Sequence, residues 1–177
     1  AWVSEVVEDV LANVVPAVEG ELEPGRRYAV NLVSGHRRQD GAPVILENTP
    51  SVPSLLGSIQ PDVVNERELR ADHMSVHAGS LLRADRGFLV LDARDLLLAP
   101  GAWRVLIRTL RSGHLDIAPG DAPTTLRTPT LRPEPIPIDV KVILVGEPSI
   151  YYLLDARDDD FRHLFKVISD VDDTIPN

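Results

Sequence analysis

The chain has 177 residues, 18 Lys plus Arg against 27 Asp plus Glu for a net charge of −9, 44% apolar residues, 5% aromatics and no cysteine. That composition describes one soluble globular domain, large enough to bury a core without covalent staples, and it excludes disulfides and thiolate metal sites. Lys141 and Lys166 are the only lysines, and no basic stripe stands out along the chain, so the acidic balance argues against nucleic acid as a partner.

No apolar run approaches the ~18–20 residues that cross a bilayer. The opening AWVSEVVEDV lacks the basic and apolar regions of a secretion signal. Both point to a cytoplasmic protein with no membrane partner. The chain starts at Ala1 in mid-pattern and stops at Pro176-Asn177 just after a strand-like stretch, so it reads as a piece of a longer polypeptide.

Val3, Val6, Val7, Val10, Leu11 and Val14 recur at helical spacing with Glu5, Glu8 and Asp9 between them, which predicts an amphipathic helix over the first 15 residues. Pro16 stops it. YAVNLVS reads as a strand, GHRRQDG as its turn and PVILE as a second short strand. From Asn48 to about Asp72 no element stands out: NTPSVPSLLGSIQ has two prolines and a glycine, and the polar QPDVVNERELRAD behind it reads as a mobile loop. HMSVHAGSLLRAD reads as a helix interrupted by Gly79 and leads into the apolar strand GFLVLD. A run of that kind suits a parallel sheet covered on both faces.

Pro100 and Gly101 open a further helix with Trp103, Leu106, Ile107 and Leu110 on one face, read as core packing, and Gly113 closes it. HLDIA is a short strand, and residues 119–137, with six of the fifteen prolines, form an irregular loop. DVKVILVG is a second buried strand, followed by the helix PSIYYLLDA, the helical turn DDDFRHLF and a last strand, KVISD. Alternating helices and strands of this kind predict an α/β fold on a mostly parallel sheet.

Asp92, at the end of the apolar strand RGFLVLD, places a carboxylate at the carboxyl edge of the sheet, where α/β proteins bind ligands and where a Walker B strand presents Asp to Mg²⁺. A structural strand ending in a helix-capping Asp would have the same spacing. The motif acquires specificity from its company. The strings APVILENTPSVPSLLGSI, HAGSLLRADRGFLVLDARDLL, AWRVLIRTLRSG and PEPIPIDVKVILVGEPSIYYLLDARDDDFRHLFKV together resemble the AAA+ module of Lon-like ATP-dependent proteases, in the branch with a helical insertion after the P-loop.

The resemblance implies a three-layer α/β subdomain of the P-loop NTPase type over residues 27–177, with residues 1–18 the end of the insertion. It implies that Asp92 is the Walker B carboxylate, that Glu147 stands at the sensor 1 position, and that Leu55, Leu56 and Gly57 lie where pore loops grip substrate. Arg162 falls near the place of an arginine finger. The resemblance implies as partners further copies in a ring, a hexamer by family habit, and unfolded protein substrates; ATP and Mg²⁺ belong to the intact protein.

The departures matter equally. No GxxxxGK[ST] occurs in the chain, so nothing here cradles phosphates and the fold is incomplete in that respect. Ala93 stands where the catalytic Glu would be, and Glu147 where Asn or Thr is usual. Neither Lys141 nor Lys166 follows a serine-bearing motif, so the Ser–Lys peptidase dyad is also missing from the chain. The segment alone should catalyse nothing and bind no cofactor. A gate or adaptor built on the same fold without nucleotide is the alternative.

Three other patterns compete for attention. VISDVDDTI reproduces the DxDxT signature of haloacid-dehalogenase-type phosphatases, with Asp170 as nucleophile and Asp172 as general acid, but only three residues follow Thr174. Asp170, Asp172 and Asp173 read more simply as a solvated acidic turn. His73 and His77 would share a helix face, yet no third ligand is evident. Asp155, Asp158, Asp159 and Asp160 are ordinary helix-start chemistry and define no site.

Overall fold

The computed structural model describes residues 2–14, 29–35, 41–65, 68–117 and 131–171. In chain order the elements are α1 (Trp2–Asp9) with a π-helical turn (Val10–Val14), β1 (Val44–Glu47), α2 (Val52–Leu56), β2 (Gly57–Ile59), β3 (Asp62–Asn65) and β4 (Glu68–Arg70). A 3-10 turn (His73–Ser75) precedes β5 (Val76–Ala78), α3 (Ser80–Arg83), β6 (Phe88–Asp92), α4 (Ala93–Leu98) and α5 (Ala102–Ser112). The last elements are β7 (His114–Leu115), β8 (Ile136–Pro137), β9 (Lys141–Val145), α6 (Pro148–Arg157) and α7 (Asp159–Leu164).

The centre is a parallel sheet in the order β1-β6-β9. The fold is therefore α/β as expected, with β6 in the middle. The register aligns Ile45, Leu89 and Val142 across the sheet, and Leu91 with Leu144 one pleat further on. Leu89 and Leu91 are fully buried in a core shared with Leu55 and Leu56 of α2, Leu81 and Leu82 of α3, and Leu96 and Leu106 from α4 and α5.

The opposite face differs from expectation. Alternate residues point the other way in a strand, and there Val44, Leu46, Ile143 and Val145 remain 66%, 64%, 45% and 54% exposed. The described residues cover one face of this sheet and leave the second open. Lys141 extends its Nζ to 5.6 Å from the Phe88 ring on that open side, and no strand among the described residues pairs with the outer edge of β9.

Several other predictions require correction. Residues 29–35 form no strand; this segment is tied crosswise by the Asn31 Nδ2, which donates to the carbonyls of His73 (2.8 Å) and Val76 (2.9 Å), and by Ser34 Oγ, which donates to Leu82 O. The expected turn at GHRRQDG lies mostly outside the described residues. The supposed loop from Asn48 to Asp72 instead holds α2, β2 and the β3–β4 antiparallel pair. Ser51 starts α2 through a reciprocal capping box with Ser54.

The stretch from His73 to Asp85 is not one helix. A short turn capped by Asp72 leads into β5, which pairs antiparallel with β2. Gly79 ends β5 where the backbones almost touch: a Cβ there would lie 2.3 Å from Gly57 N and Leu55 O. Gly57, at φ +96, would place its own Cβ 2.3 Å from His77 O. Only residues without side chains let these two segments cross so closely.

Elsewhere the reading holds. Gly113 ends α5 in the left-handed conformation, its N–H donating to Thr109 O. β7 is only two residues long and pairs with β8, inside the stretch expected to be loop. KVISD is not a strand: residues 165–171 carry no sheet pairing, and Val167, Ile168 and Val171 are exposed.

Candidate functional site at the carboxyl edge of the sheet

Three parallel strands end together, and each delivers a carboxylate. Glu47 closes β1, Asp92 closes β6, and Glu147 lies two residues beyond β9, whose Val145 is the register partner of Asp92. Because adjacent strands lie about 4.8 Å apart, the ends of these strands form one short acidic rim.

Asp92 is exposed and starts α4. Its Oδ1 accepts from the N–H groups of Arg94 (2.8 Å) and Asp95 (3.0 Å), satisfying two of the donors that a helix start leaves open. Among the described residues Oδ2 has no partner, so one carboxylate oxygen remains for a ligand. Both readings of Asp92 thus coexist on one side chain. Helix capping fixes its direction without consuming its second oxygen.

Glu47 is held more tightly. Its Oε1 accepts from Thr49 N at 3.1 Å, and its Oε2 lies 4.0 Å from Arg83 Nη2. Glu147 precedes α6 without capping it, and among the described residues its carboxylate makes one long contact, accepting from Ser149 Oγ at 3.4 Å. Hard oxygen donors of this kind suit Mg²⁺. The chain has no glycine-rich loop for the phosphates that accompany such a cation.

Ala93 is buried, and a Cβ built on Gly146 would lie 3.1 Å from the Ala93 methyl. The backbone after β9 therefore passes close to this position.

Arg162 lies on α7 and folds back on α6. Its Nε donates to Asp155 O (2.9 Å) and to Asp155 Oδ1 (2.8 Å), while Nη2 donates to Oδ2 (3.2 Å). The fork-on-carboxylate geometry is the strong form of this contact, although both partners are partly exposed and screened. Asp155, assigned no role from sequence, is thus the residue that positions Arg162.

Leu55 and Leu56 lie inside the core, and Gly57 is locked against β5. In this arrangement all three build the body of the domain and none presents a gripping surface. The antiparallel β3–β4 pair follows β2 in the chain.

The remaining motifs separate. His73 sits in the 3-10 turn with Nε2 2.7 Å from Ala29 O, and His77 is an exposed residue of β5, so no helix face joins them. No group of three metal-ligating side chains occurs among the described residues. Asp170 lies on exposed, unpaired backbone, and Asp172, Asp173 and Thr174 fall outside the described residues. Asp158 caps α7 through Oδ1 and accepts from Trp103 Nε1 at 2.7 Å through Oδ2. Glu47 was missed in the sequence, where PVILE ending in an acid was the available signal; Asp155 was read as helix-start chemistry and instead lies near the end of α6.

A parallel sheet whose middle strand ends in an exposed, helix-capping Asp defines an α/β protein with a carboxylate at the carboxyl edge of its sheet. The LonB-like AAA domain family matches residues 40–172, well over half of the chain, and the chain belongs to that family. No curated protein matches the chain. Among solved structures the chain is similar to NtrX from Brucella abortus, at 17% identity and a TM-score of 0.46 over 71% of this chain. The chain spans 26% of the length of that protein's chain. Among the described residues no helix is long and apolar enough to cross a membrane.

Proposed function

We propose that this chain is the part of a Lon-like ATP-dependent serine protease that carries the Walker B strand of its AAA+ module and serves ring assembly and substrate engagement in the cytoplasm. In this reading residues 1–18 end a helical insertion and residues 27–177 form the AAA+ subdomain. Asp92 carries the reading: it ends the middle strand of a parallel sheet with one carboxylate oxygen uncommitted, within a segment that the family covers.

Each further role follows from that placement. Asp92 holds Mg²⁺ beside ATP bound by the intact protein, and the metal supplies charge neutralisation at the phosphates. Glu147 occupies the sensor 1 position at the neighbouring strand end. Arg162 reaches a neighbouring protomer of a hexameric ring once it leaves Asp155. The open sheet face and the free edge of β9 receive the P-loop segment of the intact module, and the unpaired stretch 165–171 joins the sheet on the far side of that added strand. The β3–β4 pair, in place of Leu55 and Leu56, contacts unfolded substrate. The chain alone has neither P-loop nor peptidase dyad and turns over nothing.

The packing of Ala93 against Gly146 favours a second reading, a gate built on the ATPase fold without hydrolysis. Calorimetry with Mg²⁺-ATP on the intact polypeptide distinguishes them. Asn caps a helix as well as Asp does, so Asp92→Asn removes charge while keeping the cap. The expected result is ATP binding by the parent, weakened at least ~10-fold in Asp92→Asn only when Mg²⁺ is present, with thermal stability unchanged. Peptide cleavage by a parent that binds no ATP establishes the gate.

A further inference from the structure

Along the outer side of α5, Arg104, Arg108 and Arg111 follow one another at intervals of four and three residues, so they share one stripe, and all three are exposed. With Trp103 they line a groove of about 690 Å³ whose far wall is the start of α7. One place in the row is filled from within the chain: Arg111 Nη1 donates to Asp160 Oδ2 at 2.9 Å. The other acid lining that wall is also engaged, since Asp158 caps α7 through Oδ1 and accepts from Trp103 Nε1 through Oδ2. Arg104 and Arg108 have no ion-pair partner among the described residues.

Both are poorly placed for stability alone. Arg104 lies in the first turn of α5, where the helix dipole favours an acid, and that turn has none. Arg108 stands four residues further on the same side, and like charges at that spacing repel. In a chain with 27 acidic residues and a net charge of −9, two guanidinium groups are left together and uncompensated on one helix. An anion seated on them relieves both repulsions.

The kind of anion follows from the spacing and from what Arg111 already holds, which is a side-chain carboxylate of a polypeptide. Arg104 and Arg108 are about 6 Å apart along the helix axis, close to the ~6.6 Å between alternate side chains on one side of an extended chain. The whole row is only about 10 Å long. A nucleic acid draws its affinity from a longer basic track, and the negative charge of the chain repels its flanks.

We propose that the α5–α7 groove binds a short, extended acidic segment of a partner polypeptide, with carboxylates of alternate residues on Arg104 and Arg108 continuing the contact that Asp160 makes with Arg111. The inference goes beyond the ATPase reading and stands whether or not the sheet edge takes nucleotide.

Anisotropy of a rhodamine-labelled hexapeptide of alternating serine and glutamate, titrated with the intact polypeptide at low salt, tests this. Saturable binding is expected, at least ~5-fold weaker with Arg104→Gln/Arg108→Gln and at least ~5-fold weaker for the same peptide carrying glutamine in place of glutamate. Asp160→Asn empties the third place, and the peptide should then bind at least ~2-fold more tightly. Because both arginines leave unfavourable positions, the double variant should unfold at no lower temperature than the parent.

No saturable binding up to about 1 mM, equal binding by the double variant, or weaker binding by Asp160→Asn overturns the proposal. So does a lowered unfolding temperature in the double variant, which shows the arginines to be structural. Displacement of the peptide by a single-stranded oligonucleotide or by inorganic phosphate at the same concentration of charge shows a surface for any anion. A change in sedimentation of the double variant without peptide shows that a second copy fills the row. Either outcome removes the partner polypeptide.

Discussion

The two faces of the central sheet are built from the same three strands and the same kinds of side chain, yet they have opposite fates. Toward α2, α3, α4 and α5, Leu89 and Leu91 are sealed; on the other side Val44, Leu46, Ile143 and Val145 stand exposed. The apolar content of a strand therefore records how many surfaces it is meant to bury. It does not record whether the cover belongs to the described part of the chain. Near-continuous apolar strands such as FLVLD and KVILV suit double coverage, and here only half of that coverage is present.

Substitutions sharpen the contrast. Leu89→Ala, on the sealed face, is expected to destabilise the chain by about 2–5 kcal/mol, since it removes a fully buried side chain and leaves a cavity. Chemical denaturation of the isolated chain measures it. Asp92→Ala lies at the sheet's end and belongs to neither face. It removes both bonds to the start of α4, and a cost of about 1 kcal/mol is expected, recovered by Asp92→Asn. Leu46→Ser, on the open face, should change the stability of the isolated chain by less than about 0.5 kcal/mol. The same change should cost more in the intact polypeptide if a further segment covers that face. Equal effects at Leu46 and Leu89 in the isolated chain would remove the distinction between the faces.

What was legible in the sequence follows from the range of the forces involved. The strands around Leu46, Val90 and Ile143 and the helix from Ala102 to Ser112 carry their own periodicity and punctuation, and they were placed correctly. The stretch from Ser51 to Ser80 was not. Its order depends on the crossing of Gly57 and Gly79 and on β2 pairing with β5, contacts between residues far apart in sequence. His77 illustrates the error: four-residue spacing suggested a helix face, while pairing with Ser58 made it part of a strand. KVISD failed for the converse reason. Its β propensity is clear, but propensity is expressed only beside a partner strand, and none lies next to it among the described residues.

At the candidate site, Asp92 was legible because a strand-ending acid is a local pattern. The hold of Asp155 on Arg162 was hidden, since a seven-residue separation across a helix break follows no simple period. Ala93 was visible as a departure, but only the approach of Gly146 shows that the position is enclosed as well as uncharged.

Trp103 of α5 stacks on Phe165, lies tilted against Phe161 of α7 and donates to Asp158. The chain has one other tryptophan, Trp2 in α1. Replacing Trp2 with phenylalanine therefore leaves Trp103 as the single tryptophan. The molecule then carries its own optical reporter of the packing between α5 and α7, readable without any attached dye.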